Sequence, residues 1–215
     1  MNQQQIYWNS RYDDEGTIWG QEACFAAKMS EKIFRENNAS RILVPGCGYG
    51  RNSRYLANKG FVVEGFDISD SAIEIAKSMM ASDNNKISYK QGDLLEEQLN
   101  NDYDGILSIN LLHLFDDAGR NKIILKYSKA LKQNGVLILT SMSTNDPDYR
   151  KGEMIDEYTF ESKKGRPIHY FDLQTMRELI EKYLSILSIS EIKEYENHGG
   201  KEHYHNMVCT IAVKR

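Results

Sequence analysis

The chain has 215 residues, 40% apolar, 10% aromatic and 27% charged, with a net charge of −4 at neutral pH. That length fits one domain with a sizeable core, and those fractions exclude a disordered or fibrous chain. The mild acidity and the lack of any dense Lys/Arg run argue against a nucleic-acid partner, and no apolar run approaches the roughly 20 residues that span a bilayer. Cys24, Cys47 and Cys209 are far apart and lack metal-ligand spacing. With a polar start, Met1 to Gln5, they predict a reduced, cytoplasmic protein.

In chain order, Met1 to Gly20 is aromatic-rich and aperiodic, with Tyr7, Trp8, Tyr12 and Trp19 set among polar residues. Phe25, Met29, Ile33 and Phe34 recur at helical spacing, which predicts a helix over Gln21–Asn37. Arg41–Val44 reads as a buried strand, followed by the glycine-rich loop Gly46-Cys47-Gly48-Tyr49-Gly50. A helix over Asn52–Lys59 follows, closed by Gly60. Phe61–Phe66 is a strand that ends on Asp67, Asp70–Met80 a helix, and Ile87–Lys90 a strand that runs into Gly92-Asp93. Tyr103–Ile109 is a strand, Asp117–Leu131 a helix and Gly135–Thr140 a strand. This alternation predicts an α/β fold, doubly wound, with a mostly parallel sheet and helices on both faces.

Ser143–Phe171 breaks the rhythm: it is polar, holds Pro147 and Pro167, and has no sustained period. A connection that long in a compact domain is usually a lid or binding loop. Asp172 then caps a helix through Tyr183, and strands Leu184–Tyr195 and Tyr204–Lys214 flank the turn signal Asn197-His198-Gly199-Gly200.

In open parallel sheets the ligand sits beyond the carboxyl ends of the strands, where the glycine loop lies. Glycines permit the sharp turn, and the following helix offers free N–H groups to an anion, whether the pyrophosphate of a dinucleotide or the carboxylate of S-adenosylmethionine. A dinucleotide loop requires G-x-G-x-x-G, but Arg51 occupies the third glycine position. Asp67, at the end of the second strand, is placed to accept from ribose hydroxyls. Asp93 is placed to accept from an adenine amino group, with Ile68 and Leu94 forming an apolar slot; its bland alternative is a helix N-cap.

This combination resembles the class I S-adenosylmethionine-dependent methyltransferases over nearly the whole chain. Gly48-Tyr49-Gly50-Arg51-Asn52-Ser53, and the stretches Asp146–Tyr149 and Gly165–Phe171, are similar to the tellurite-resistance-type members. Leu43–Gly48 and Gly65–Ser69 are similar to the thiopurine and thiol methyltransferases. The resemblance implies a seven-stranded sheet of order 3-2-1-4-5-7-6 with the last strand antiparallel, and S-adenosylmethionine held by Trp19, Gly46, Cys47, Gly48, Gly50, Asn52, Asp67, Ile68, Asp93, Leu94 and Asn110. Many members carry an acidic residue two positions before the first glycine; Val44 stands there, so the methionine amino group must be held from elsewhere.

Asn110-Leu111-Leu112-His113 faces the methyl group in this fold, which makes His113 the candidate acceptor-side base or orienting group; the competing reading is a histidine bonded within the domain or lining the cofactor pocket. Trp8, Tyr12 and Trp19 are candidates to fold over the sulfonium. His203 and His205 share one strand face, and His198 falls in the turn, but no carboxylate or Cys in the same segment completes a set, so no metal is expected. The expectation is a single domain, 1–215, that methylates a small molecule: a thiol, halide or chalcogen oxyanion. Residues 1–20 would cover the cofactor and residues 143–171 would form the lid. The alternatives are an NAD-dependent oxidoreductase and a non-catalytic S-adenosylmethionine-binding protein.

Overall fold

The computed structural model describes residues 3–80, 86–198 and 201–215. Its main sheet contains β1 (Arg41–Pro45), β2 (Val62–Asp67), β3 (Ile87–Gln91), β4 (Tyr103–Ile109) and β5 (Leu131–Met142), followed by β9 (Ser185–His198) and β10 (Lys201–Val213). The strand order is β3-β2-β1-β4-β5-β10-β9. Since β9 and β10 are the sixth and seventh strands of this sheet, the order matches the expected 3-2-1-4-5-7-6. The pairs among β1 to β5 are parallel, and β10 is antiparallel to both neighbours.

Side chains alternate across these strands, and each set meets its own layer of helices. Leu43, Ile106, Leu137 and Leu139 pack with residues of α5 (Asp117–Ala130) and α6 (Leu173–Glu181), among them Ile123, Tyr127 and Ile180. Ile42, Val44, Leu107 and Ile138 face the opposite way. They pack with Ala27 and Phe34 of α2 (Phe25–Glu36), Leu56 of α3 (Arg51–Asn58) and Ile73 of α4 (Asp70–Ser78). Caps fix where the helices begin: Ser69 accepts from Ala72, Asp116 from Gly119, and Asp172 forms a capping box with Thr175. The helix predicted from Gln21 starts only at Phe25, after Cys24 in extended conformation. Among the described residues no helix is long and apolar enough to cross a membrane.

Two segments read as irregular are ordered. Residues Gln3–Glu15 form α1, whose pattern is hard to see because only Tyr12 on it is buried. Tertiary contacts stabilise such a helix more than its own propensity does. Ser69 donates to Asn9 at 2.7 Å and Gln5 to Asp70 at 2.9 Å, which fastens α1 to the start of α4. Within 143–171 lies a three-stranded antiparallel meander of β6 (Glu153–Asp156), β7 (Thr159–Lys163) and β8 (Arg166–His169). β6 is exposed throughout and β7 and β8 each bury two residues, too few for a period-2 signal. Phe160, Ile168 and the adjoining Tyr170 pack on Met142 and Met207, anchoring the meander to the sheet. The terminal hairpin is longer than predicted. His198 pairs with Lys201 as a strand residue rather than sitting in the turn, while Gly199 and Gly200 lie outside the described residues.

Candidate active site

The carboxyl ends of β1, β2, β4 and β5 open into a cleft of about 300 Å³. The glycine loop forms its floor. Gly46 and Gly48 have φ of +63° and +53°, a region that disfavours any side chain, and a Cβ on Gly48 would meet the Tyr12 hydroxyl at 2.6 Å. The Gly48 N–H donates to Asp67 Oδ2 at 2.8 Å and the Ser69 N–H to Oδ1 at 3.0 Å. Burial pushes the Asp67 pKa up, and these two backbone donors work against that rise. The carboxylate is thus fixed at the cleft floor, where further donors such as ribose hydroxyls would offset its lost hydration.

The N-terminal segment covers this floor. Gln4, Trp8, Tyr12 and Trp19 line the cleft, and Trp19 stacks on Tyr49 with centroids 6.3 Å apart and planes 12° apart. Arg51, whose bulk argued against a dinucleotide, donates to the Trp19 carbonyl at 2.6 Å and places its guanidinium 5.9 Å from the indole centroid. It holds the covering segment over the loop. Asn52 does likewise by accepting from the Cys24 N–H at 3.1 Å.

The far end of the cleft is built from three other segments. His113 projects from the 3₁₀ turn Leu112–Leu114 after β4. Burial, then the charge of Arg166, pull its pKa down to about 3, and its buried Nδ1 has no hydrogen-bond partner. It is therefore neutral at physiological pH and a poor proton acceptor, which counts against its use as a base. Arg166 and Ile168 of β8, and Tyr170, line the same end. The Arg166 Nε is also buried and unpartnered. Glu196 and His205 come from the terminal hairpin, and Asp148 from the turn after β5.

Of the predicted cofactor residues, Trp19, Gly46, Cys47, Gly48, Asn52, Asp67, Ile68, Asp93, Leu94 and Asn110 all line the cleft. Gly50 does not: at φ +81° it caps α3 with its Cα turned to the Tyr89 hydroxyl. Cys47 contributes backbone, since its sulfur lies in the core beside Gly65 and burial pushes the thiol pKa up. Asp93 is no helix cap; it accepts from the Leu95 N–H at 2.9 Å within a turn. Asn110 holds φ +51° with its side chain fixed by Thr140 at 3.0 Å. Tyr49, Arg166, Tyr170 and Glu196 escaped the sequence reading. Glu196 reaches the C-terminal histidines across the hairpin, and Asp146 and Asp148 reach His205 from the β5 exit. Asp146 accepts from His205 Nδ1 at 3.0 Å. Burial lowers the basicity of His205, but that bond and charge outweigh it, so its pKa is raised.

Residues 42–135 match a methyltransferase-domain family model. The ubiquinone biosynthesis O-methyltransferase of Rickettsia akari is 29% identical over 131 residues, covering 61% of this chain and 51% of that protein. The phosphoethanolamine N-methyltransferase of Plasmodium falciparum is 29% identical over 153 residues, covering 65% and 57%. The chain thus spans little more than half the length of these curated relatives. Among solved structures, Haemophilus influenzae TehB superposes with a TM-score of 0.70 at 19% identity, covering 97% of this chain and 67% of that one. A Burkholderia thailandensis 1,6-didemethyltoxoflavin N1-methyltransferase, solved with S-adenosylhomocysteine, superposes with a TM-score of 0.73 at 16% identity, covering 99% and 87%. Residues 42–135 are thus similar to a methyltransferase domain, and the strand order is the one that the resemblance to class I S-adenosylmethionine-dependent methyltransferases implies.

Proposed function

We propose that this chain transfers the methyl group of S-adenosylmethionine to a small anionic acceptor: a thiolate, a halide or a chalcogen oxyanion. The carrying observation is the pairing, in one cleft, of a fixed carboxylate at the floor with a half-buried arginine, Arg166, whose Nε has no hydrogen-bond partner, at the other end. The donor set fits the cofactor. Asp67 takes the ribose, Ile68 and Leu94 flank the adenine with Asp93 at its amino edge, and Trp8, Tyr12 and Trp19 cover the sulfonium. The cofactor supplies a methyl carbon activated by positive sulfur. The protein's task is to hold the acceptor in line with it and to exclude water.

An acceptor that arrives as an anion needs no base, which accords with a His113 that stays neutral. In this reading Arg166 holds the acceptor's charge and the orphaned His113 Nδ1 meets a polar group on it. α1 and the meander act together as cover and lid, since Gln4 donates to the Gly165 carbonyl between β7 and β8 at 3.2 Å.

The test is to supply methyl-labelled S-adenosylmethionine with small thiols, iodide, selenite and tellurite, and to trap methylated products. Turnover with one of these anions is expected. Arg166→Gln should raise its KM about 10–100-fold, the worth of a hydrogen bond to a charged group. Methylation confined to neutral or amine acceptors, with Arg166→Gln unaffected, would contradict the proposal.

A further inference from the structure

The terminal hairpin brings together two histidines and a carboxylate whose residue types and placement match a three-ligand metal centre. His203 and His205 project from the same face of β10, two residues apart. Glu196 is directly opposite His203 in the antiparallel register with β9. Ligand atoms of the three all lie within 4.8 Å of one another, and His203 Nε2 is 3.8 Å from Glu196 Oε2. Ligands at about 2.1 Å from a tetrahedral ion stand about 3.4 Å apart, so small side-chain rotations suffice.

The surroundings are those of a metal-binding histidine. Asp146, with a fully buried side chain, takes the N–H of Asp148 on Oδ1 at 2.8 Å. Its Oδ2 takes the Asn206 N–H at 2.8 Å and His205 Nδ1 at 3.0 Å. With both oxygens engaged, Asp146 is better suited to orient His205 than to ligate. A carboxylate on one ring nitrogen fixes the tautomer and turns the other nitrogen outward as a ligand.

We propose that Glu196, His203 and His205 bind one divalent transition-metal ion of the zinc class, leaving a coordination position open toward the acceptor end of the cleft. Two imidazoles and one carboxylate suit zinc, cobalt or ferrous iron rather than magnesium or calcium, which prefer all-oxygen sites. Glu196 and His205 line the cleft that holds Arg166. A bound cation would therefore turn an acidic corner into a second positive pole for an anionic acceptor. The site itself stands on the hairpin geometry; only its use in acceptor binding rests on the proposed function.

The test is to strip the protein with a chelator, titrate it with Zn²⁺ and Co²⁺ by calorimetry and visible absorption, and measure S-adenosylhomocysteine binding on the same samples. One equivalent should bind in the micromolar range or tighter, with Co²⁺ showing the intense d–d bands of a four- or five-coordinate site. His203→Ala and Glu196→Gln should abolish binding while S-adenosylhomocysteine still binds, and Asp146→Asn should weaken it about 10–100-fold. Asp148→Asn should leave it unchanged. The proposal is overturned if the wild type takes up no stoichiometric Zn²⁺ or Co²⁺, if Mg²⁺ binds more tightly, or if Asp148→Asn removes the ion while Glu196→Gln does not. Metal binding without S-adenosylhomocysteine binding would instead contradict the methyltransferase reading and leave the metal site standing.

Discussion

At the scale of single residues, Asp67 ties two parts of the cleft floor together and is proposed to hold the ribose as well. Its carboxylate pins the glycine loop through Gly48 and the start of α4 through Ser69. Asp67→Ala should therefore lower S-adenosylhomocysteine affinity about 10–100-fold, the range expected for hydrogen bonds to a charged group. Calorimetry reads this directly, with circular dichroism showing that the fold persists; unchanged affinity would mean that the ribose is held elsewhere. The places of Asp67, Gly46 and Gly48 at the cleft were legible in the sequence because they follow from position at a strand end, whereas Gly50 turns out to cap α3 instead. Arg166, Glu196 and Asp146 were not, because they reach the cleft from segments far along the chain. The Asp146–His205 bond spans 59 residues, and no local pattern encodes such a pair.

At the scale of elements, α2 begins without a side-chain cap of its own, since Cys24 supplies none. The cap comes from β9: Glu194, 5% exposed, accepts from the N–H groups of Phe25 at 2.8 Å and Ala26 at 3.3 Å. A carboxylate there also meets the positive end of the helix. Glu194→Ala leaves both donors without their acceptor, that of Ala26 fully buried, and should destabilise the fold by about 1–3 kcal/mol. Glu194→Gln, which keeps one acceptor, should cost less. Urea midpoints of the wild type and the two variants check the order; three equal midpoints would show that the cap contributes nothing. Strong alternation made the strands of the parallel core and the helices between them legible. α1 and the meander were hidden because each buries only a few side chains and depends on the surface beneath it.

At the scale of the whole molecule, buried neutral histidines set the acid limit of stability. Burial, then the charge of Arg166, hold His113 down to about 3; burial, then the charge of Arg120, hold His169 down to about 4. In the unfolded chain both protonate near pH 6.5, so below that pH the unfolded state binds more protons and stability falls. The loss runs from about pH 6.5 down toward 4 and reaches on the order of 2 kcal/mol per histidine at pH 5. His205, with its raised pKa, offsets part of it. Urea midpoints should fall between pH 7.5 and 5, and less steeply in His169→Gln; a flat profile would contradict the burial of these rings.

The proposed function requires that the glycine loop, Asp67 and the aromatic cover form a site for S-adenosylmethionine rather than for a dinucleotide. Calorimetry of the purified protein with S-adenosylhomocysteine and with NAD tests it most directly. One equivalent of S-adenosylhomocysteine should bind, with no measurable heat from NAD. Binding of NAD without S-adenosylhomocysteine would contradict it.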